Sequence, residues 1–492
     1  PLTYLQHEMG GEAADIRLQT FLRYGPEMVE FFHQRTAVQF LSGSAMPDFH
    51  PSPGAANGGR SVTAQPYDGR LLGDWLHRLR PPLETISLGG MGIAGGADMA
   101  HFFNATRSPR SALYAARRLL RHGWQRLRAG RGQHLVNGNA LVARLLRSAL
   151  DAGVRFQLNA PVVRLLQGPP GVSGAVLRSD GGEIHVEAGA VVLACGGFPH
   201  DRQRLAQVVP HAAEGYGHFS AAPPDNQGEG IRLGESVGGQ FDTSLRHPLA
   251  WAPVSRVTLA SGQQLMFPHL VERAKPGVIA VLPNGKRFVN EADSYHDFIA
   301  ALLAATPAGD TPQAWLLADR RALRRYGLGH ARPFPFTPTA WLRTGYLQRG
   351  NTLAELAKQC AIDANALAET VERFNHFASA GEDVDFHRGA SAYNRAQGDH
   401  QVTLGPLREG PFYAVRILPG SLGTFSGLQT DEHARVLDEQ QLPIPGLYAI
   451  GNDMSSVMRG YYPSGGITLG PAMTFGYLVG KNLAANTIKT KQ

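Results

Sequence analysis

Apolar residues recur at helical spacing in several segments of the chain. Segment 111–130 and segment 140–153 each predict an amphipathic helix, and a short strand is expected after Gly153. Segment 14–36 predicts two helices separated by the pair at 25–26, because proline lacks the amide that a helix interior uses. Further helices are expected over 312–327, 351–362 and 364–381.

Short strand patterns follow the second of these helices. Segments 161–168, 171–182 and 183–198 alternate strand and turn, and the last strand ends at Gly196 and Gly197. A helix, a strand, a β-meander and a strand in this order are typical of a dinucleotide-binding α/β unit. The two glycines favour either close backbone approach to a flat or phosphate-bearing ligand or a simple strand-end turn, with equal weight.

A second glycine run, at 89–96, has the formal spacing GxGxxG from Gly90 to Gly95. A dinucleotide fingerprint needs a strand before it, a helix after it and an acidic residue about 20 residues on. The fifty residues after Asp98 contain no Asp or Glu, so we predict a loop here. If the protein binds a dinucleotide, its fingerprint is expected upstream of Pro1.

The pattern changes near Trp251, where strands and helices follow one another without a second dinucleotide pattern. Short strands and turns return after about residue 423. We therefore predict two domains. Residues 1–250 and 424–492 form the two parts of one domain, and residues 251–423 form a second domain inserted between them.

Composition narrows the class of protein. The chain has 492 residues, 43% of them apolar, and only two cysteines, Cys195 and Cys360. The cysteines have no disulfide or zinc spacing, which favours a reducing compartment such as the cytoplasm, and Cys195 is expected to be buried in a strand. The apolar runs are far shorter than the roughly 18 residues of a membrane span.

The net charge of +7 is local rather than general. Residues 101–150 hold ten arginines and no acidic residue, and several of these arginines fall on the helix predicted at 111–130. We expect a solvated or domain-covering face, with an anion-contacting face as the alternative. No motif with interleaved aromatic residues accompanies the arginines, so nucleic acid is not expected as a partner.

Three segments contain residues suited to ligand chemistry. A strand ends in Gly451, Asn452 and Asp453, where an acid and an amide could meet a ribityl or ribose hydroxyl. Segment 465–484 begins a helix from a glycine-rich turn, so free backbone N–H groups can face an electron-rich ring edge. Segment 284–298 places a polar cluster in the inserted domain.

Taken together, the motifs GKRFVNE with a following tyrosine, VVLACGGF and YPSGGITLGPAMTFG resemble the FAD-dependent fumarate reductase and 3-ketosteroid dehydrogenase superfamily. Within it, the chain most resembles the 3-ketosteroid Δ1-dehydrogenase branch, over nearly its whole length. The resemblance implies an α/β fold, with a Rossmann-like FAD-binding domain whose N-terminal βαβ unit is missing and an inserted α+β catalytic domain.

Two positions separate the branches of this superfamily. Fumarate reductases carry arginines where this chain has Tyr295 and Tyr462. A dicarboxylate needs such guanidinium groups to offset its charges in a buried site. Two neutral hydroxyls instead favour a ketone.

The resemblance also implies catalytic roles. Tyr462 and the backbone N–H of Gly466 would bind the substrate carbonyl oxygen, as an oxyanion hole does, and Tyr295 would take the proton from the adjacent carbon. FAD would accept the hydride, which gives a 1,2-desaturated 3-ketosteroid. The dehydrogenases carry a further tyrosine that assists the base; here Phe49 stands at that position, with His50 beside it.

The cofactor contacts implied by the resemblance are backbone and strand-end positions: Val162, Ala194, Gly196, Gly197, Gly451, Asn452, Asp453, Gly466, Ile467, Thr468 and Leu469. The expected partners are a steroid-like apolar ketone and an electron acceptor such as a quinone or a carrier protein. The alternatives are a flavin-dependent reductase or Δ4-type dehydrogenase of another apolar ketone, and a cofactor-free binding protein.

Overall fold

The computed structural model of the protein describes residues 1–489 and shows a mixed α/β chain. Its α-helices are α1 (Leu2–Met9), α2 (Ile16–Arg35), α3 (Ala97–Phe103), α4 (Pro109–Ala129), α5 (Asn137–Asp151), α6 (Arg202–Val208), α7 (Pro210–Ala213), α8 (Glu229–Glu235), α9 (Tyr295–Ala305), α10 (Arg320–Tyr326), α11 (Thr339–Arg343), α12 (Leu353–Cys360), α13 (Ala364–Ala380), α14 (Ala392–Gln397) and α15 (Leu469–Lys489).

The strands are β1 (Phe40–Ser42), β2 (Val62–Ala64), β3 (Tyr67–Asp68), β4 (His134–Leu135), β5 (Val162–Gly168), β6 (Gly171–Ser179), β7 (Gly182–Glu187), β8 (Val191–Leu193), β9 (Phe219–Ser220), β10 (Leu249–Thr258), β11 (Gln264–Pro268), β12 (Val278–Val281), β13 (Ala314–Ala318), β14 (Leu347–Gly350), β15 (Phe412–Thr424), β16 (Arg435–Leu437) and β17 (Pro443–Ala449). Short 3-10 helices occupy Gly10–Ala14, Gly69–Arg78, Glu84–Ile86, Glu272–Ala274 and Gly451–Asp453.

A seven-stranded sheet organises the middle of the chain. Its path runs β11-β10-β15-β13-β12, and β14 and β9 also pair with β15, off this path. The long strand β15 is buried over most of its length, with Val415 and Ile417 fully inaccessible. Helix α9 packs on β10 and β15, so the sheet supports the residues at the start of that helix.

A smaller parallel pair belongs to a separate three-stranded sheet, of order β16-β17-β8. Strand β17 pairs in parallel with β8, with Leu447 opposite Val191 and Ala449 opposite Leu193. Strands β5, β6 and β7 form the predicted antiparallel meander. Helix α15 packs against α2 and against the 3-10 turn Gly451–Asp453, which brings the C-terminal helix to the end of β17.

Four local predictions were wrong. Segment 14–36 contains one continuous helix, α2, with Pro26 inside it, because packing against α15 outweighs the one lost amide. No strand forms between Gly153 and the start of β5. Residues Ala314–Ala318 form a strand buried between β12 and β15 rather than the start of a helix. Cys195 is exposed, since it lies beyond the last residue of the three-residue strand β8.

The other element predictions are confirmed. Helices α4, α5, α12 and α13 lie where the periodicity placed them. The glycine run at 89–96 is a loop closed by an isolated bridge between Leu88 and Met91. No helix in residues 1–489 is long and apolar enough to cross a membrane. The boundaries predicted near 250 and 423 fall within β10 and β15, and the division into domains stays a prediction.

Candidate active site

Tyr295 owes its position to the cap of helix α9. Ser294 is the residue before the helix, and its hydroxyl oxygen accepts a hydrogen bond from the backbone N–H of Asp297 at 3.1 Å. The same hydroxyl donates to the Asp297 carboxylate at 2.7 Å. This Ser-x-x-Asp cap fixes the first turn of the helix, and Tyr295 is the first residue of that turn.

The structure brings the two predicted catalytic tyrosines together. The Tyr295 hydroxyl donates a hydrogen bond to the Tyr462 hydroxyl oxygen over 2.7 Å. Burial raises the pKa of Tyr462 to about 12, and burial together with the neighbouring phenol raises the pKa of Tyr295 well above 10. Both groups are therefore neutral at physiological pH, and Tyr462 keeps its own proton available for a second acceptor.

An aromatic cluster encloses this pair. The Phe49 ring stacks on Tyr462 with centroids 5.6 Å apart and planes 14° apart, and it meets the Tyr295 ring edge-on at 5.8 Å. Tyr393 packs on Phe49 at 4.6 Å. The position that the resemblance assigned to an assisting tyrosine thus lies in the site, but it carries no hydroxyl.

His50 belongs to a separate ionic cluster beside the aromatic one. Its Nδ1 contacts the Glu8 carboxylate, and its Nε2 lies 2.8 Å from the Asp297 carboxylate. Burial alone would lower the pKa of His50, but the two carboxylates outweigh it and raise the pKa from 6.5 to about 10. The imidazolium therefore ties α1 to the first turn of α9.

The loop between Tyr462 and Gly466 is held by hydrogen bonds from distant segments. The Pro463 carbonyl accepts one from the Tyr4 hydroxyl at 2.6 Å and one from the Phe49 N–H at 3.0 Å. The Gly465 carbonyl accepts one from the Ser61 hydroxyl at 2.9 Å. The loop is therefore fixed on both sides of its turn before Gly466 is reached.

Gly466 faces open space. Its φ is +92°, a backbone conformation that favours glycine, and no atom lies within 4 Å of the position that a Cβ would take. It is exposed, and it lines a cavity of about 800 Å³. There is therefore room for a ligand on the side of Gly466 where other residues carry a side chain.

This cavity matches part of the predicted flavin contact set. Gly466, Ile467 and Leu469 line it, together with Gly470 and residues of α2, whereas Thr468 does not. Helix α15 begins at Leu469. Its third residue, Pro471, has no N–H, and the N–H groups of Gly470 and Ala472 already donate to the carbonyls of Gly466 and Thr468. The cavity therefore offers an isoalloxazine ring a largely apolar wall rather than a row of free helix amides.

The second group of predicted cofactor contacts lies at the ends of β8 and β17. Gly196 and Gly197 have φ of +92° and +77°. A Cβ on Gly197 would collide with Thr424 and Asn452, and one on Gly196 would lie 2.7 Å from Asn226. The glycines are therefore required first by packing within the protein, which favours the strand-end-turn interpretation.

Asp453 is fully buried, and its carboxylate is already in use. It accepts hydrogen bonds from the backbone N–H groups of Cys195 and of Gly197, the latter at 3.0 Å. Burial raises the pKa of this carboxyl. In this arrangement Asp453 shapes the glycine turn that follows β8, because each of its carboxylate oxygens accepts a hydrogen bond from a backbone N–H.

The two groups are joined through the 3-10 turn at 451–453. A Cβ on Gly451 would lie 3.7 Å from Ala472 of α15, so the strand end and the helix are in close contact. Ala194 is exposed, Asn452 is half-buried, and Val162 opens β5 opposite Leu177. The residues therefore fit an extended cofactor that runs from the cavity along the strand ends. No cluster of potential metal ligands occurs among the described residues.

Several residues of the site were missed from the sequence. Tyr4, Glu8 and Tyr393 contribute to it through contacts between distant segments, and no local pattern marks them. Asp297 had a signal: the Ser-x-x-Asp spacing from 294 to 297 is a helix-capping motif. Interpreted as a cap, this motif would have predicted both the start of α9 and the position of the carboxylate that contacts His50.

Comparison with known proteins defines the family. The model of the FAD binding domain family matches residues 1–469. The chain belongs to this FAD-binding family. The cofactor prediction is thereby confirmed, since FAD is the cofactor that this family binds.

Relatives of known activity cover almost the whole chain. A 4-oxocyclohex-2-ene-1-carboxylate 5-dehydrogenase of Sinomonas cyclohexanicum is 39% identical over 94% of this chain and 80% of the relative. A 3-oxosteroid 1-dehydrogenase of Mycolicibacterium smegmatis is 34% identical over 99% of this chain and 86% of the relative.

A solved structure gives the same result for the fold. The crystal structure of a 3-ketosteroid Δ1-dehydrogenase from Sterolibacterium denitrificans, in complex with 1,4-androstadiene-3,17-dione, superposes with a TM-score of 0.88. It is 36% identical and covers 99% of this chain and 88% of its own. The predicted kinship with 3-ketosteroid dehydrogenases and the predicted FAD-dependent dehydrogenase fold are confirmed.

Proposed function

We propose that this member of the FAD-binding family desaturates a ring ketone next to its carbonyl, with the C1–C2 bond of a 3-oxosteroid as the first candidate. The observation that carries the proposal is the hydrogen-bonded Tyr295–Tyr462 pair, which stands next to a fixed loop that ends at the exposed Gly466. Two neutral donors at this place suit a carbonyl oxygen.

The donor arrangement follows from the direction of the hydrogen bond. Tyr295 donates to the oxygen of Tyr462, so the proton of Tyr462 is left to point at the substrate oxygen. The Gly466 N–H would provide the second donor. Together they would stabilise the charge that develops on that oxygen when a proton leaves the adjacent carbon.

The acceptor of that proton is proposed to be Tyr295. Its raised pKa makes the phenolate scarce but strongly basic, so Tyr295 must first release its own proton to solvent and can then accept the proton from the substrate carbon. FAD, when bound, supplies the acceptor for the hydride that leaves the second carbon. One C–H proton and one C–H hydride are removed, a C=C bond forms, and an external acceptor such as a quinone or a carrier protein regenerates the oxidised enzyme.

A second candidate is a monocyclic ring ketone that carries a carboxylate. The 39% identity to a 4-oxocyclohex-2-ene-1-carboxylate dehydrogenase favours it, and such a substrate requires a cation near the site. Arg246 provides one: it stacks over Tyr461 at 4.8 Å, next to the catalytic tyrosine, and is exposed. Within the described residues it has no carboxylate partner.

Anaerobic reduction of the bound flavin tests both candidates. We expect the flavin absorbance to bleach on addition of a 3-oxosteroid, and reoxidation to follow when a quinone is added. Bleaching by 4-oxocyclohexanecarboxylate alone would transfer the assignment to the second candidate, and Arg246→Gln should then raise KM for that acid without changing kcat. Reoxidation of reduced enzyme by fumarate, with no bleaching by either ketone, would contradict the proposal in favour of a reductase.

A further inference from the structure

Helix α4 has its polarity reversed. A surface helix usually buries its apolar stripe and exposes its polar face. In α4 the buried positions are Ser111, Ala115 and Gln125. The exposed positions at seven-residue spacing are leucines: Leu113 is 73% exposed, Leu120 is 75% exposed and Leu127 is 88% exposed, and Trp124 beside them is 56% exposed.

Polar contacts hold the helix in this orientation. Arg118 pairs with the Asp98 carboxylate at 3.1 Å. His122 and Arg126 contact the Gly89 carbonyl at 3.0 Å and 3.1 Å, and the Gln125 side chain accepts a hydrogen bond from the Gln133 N–H at 3.0 Å. Because these contacts fix the inner face, the leucine stripe cannot turn inward without breaking them.

A row of arginines borders the stripe. Arg110, Arg117, Arg121 and Arg128 are exposed, and at 100° per residue they lie on the flank of the helix next to the leucines. Arg128 stacks over Trp124 at 4.9 Å. In the part of the chain that the structure describes, none of these four arginines forms an ion pair, and segment 101–150 contains no acidic residue.

We propose that α4 docks this protein on the surface of a bilayer that contains anionic lipid. The helix would lie in the plane of the membrane, with Leu113, Leu120, Trp124 and Leu127 inserted between headgroups and the arginines on lipid phosphates. No described helix can span a bilayer, so the attachment is peripheral.

The charge of this face favours a bilayer as its partner over a second copy of the chain. Two copies joined through the stripe would bring arginine rows close together with no acidic residue of the segment between them. A bilayer instead supplies apolar chains for the leucines and negative phosphates for the arginines. The tryptophan at the edge of the stripe suits the headgroup region, where an amphipathic ring is favoured.

The inner face of α4 is linked to the cavity described above through the loop that follows Leu88. Arg118, His122 and Arg126 contact the loop at 89–92, and Asn137, which lines the cavity, donates to the Ile93 carbonyl at 2.9 Å. Docking would therefore place the cavity near a phase in which apolar ketones dissolve. That consequence rests on the proposed function, whereas the docking itself does not.

Flotation of the full chain with lipid vesicles tests the proposal. We expect the protein to float with vesicles of phosphatidylcholine and phosphatidylglycerol, to bind phosphatidylcholine alone much more weakly, and to be released in part by high salt. Leu120→Glu should weaken binding at least about tenfold. Arg117→Gln and Arg121→Gln should each weaken it about fivefold.

Two matched controls separate the helix from general surface effects. Leu442→Glu changes a leucine that is 61% exposed in the turn between β16 and β17, and Arg202→Gln changes an exposed arginine at the start of α6. Both should bind like the wild type, and thermal melts of all variants check that they fold. Absence of wild-type binding, or binding that Leu120→Glu leaves unchanged, would overturn the proposal. So would dimerisation in solution that Leu120→Glu abolishes.

Discussion

Replacing Tyr462 by phenylalanine tests the centre of the proposed site. The ring of Tyr462 would keep its stacking on Phe49 at 5.6 Å, but the donor to the substrate oxygen would be lost. Removal of one such donor typically costs about 10²- to 10³-fold in kcat, or about 2.7 to 4 kcal/mol of transition-state stabilisation. We expect Tyr462→Phe to lower the rate of flavin reduction by that factor.

The same change has a separate effect on stability. Tyr462 is 6% exposed, and its oxygen accepts the hydrogen bond of Tyr295. Without it, a buried hydroxyl donor is left unpaired, which costs about 1–3 kcal/mol. Urea denaturation should show this loss of unfolding free energy, while flavin stays bound, because Tyr462 is not among the residues that line the cavity.

Tyr461→Phe is the matched control, since Tyr461 is the preceding residue and its ring contacts the Arg246 guanidinium. Stopped-flow reduction with a ring ketone, measured after the flavin content of each variant has been equalised, separates the two effects. An unchanged rate in Tyr462→Phe, or an equal loss in Tyr461→Phe, would refute the reasoning. A loss of rate explained entirely by loss of flavin would assign Tyr462 a structural role.

Three further changes test the surroundings of the site. Because its pKa is raised, His50 stabilises the fold fully below about pH 6.5, and this contribution is lost as the pH rises towards about 10. The melting temperature should decline over that range, and His50→Gln should flatten the decline. A decline that the variant leaves unchanged would refute this assignment. The carboxylate of Glu291 is fully buried and pairs with Arg287 at 2.7 Å and with Arg388 at 3.0 Å. Glu291→Gln should lower the unfolding free energy measured in urea by about 3–5 kcal/mol. An unchanged unfolding free energy would contradict the pairing. Phe49→Ala removes a ring that is 2% exposed and should lower the unfolding free energy by about 3–5 kcal/mol in the same assay. A loss below about 1 kcal/mol would show that the neighbouring side chains collapse into the space.

The elements that could be predicted from the sequence are those with long, unambiguous periodicity. Helix α13, the meander β5–β7 and helix α15 all lie where the pattern placed them. Residues Ala314–Ala318 could not be assigned in this way, because a run of five apolar residues fits a buried helix turn and a buried strand equally well. Pairing with β12 and β15 decided between them, and that information lies far away in the chain.

The residues of the site fall into the same two groups, those that stand in a local sequence motif and those that do not. Tyr295, Tyr462 and Gly466 stand in recognisable motifs, so the sequence alone was enough to propose them, and the structure adds the hydrogen bond between the two phenols. The pairing of His50 with Glu8 and Asp297 could not be predicted, because each partner is an ordinary charged residue in its own segment. Asp453 was predicted as a cofactor contact at a strand end; it lies just beyond β17, and its buried carboxylate holds the backbone of the turn after β8.

The hydrogen bond from Tyr4 to the Pro463 carbonyl joins residues 459 positions apart. Synthesis of a chain proceeds from its N-terminus, so Tyr4 and Phe49 emerge long before the loop that they hold. Until the segment around Pro463 has been made, the aromatic wall formed by Phe49 has no partner from the C-terminal region. Assembly of the site therefore waits for the segment around Pro463, and deletion of the segment around Tyr4 or of the segment around Pro463 should affect the same few atoms.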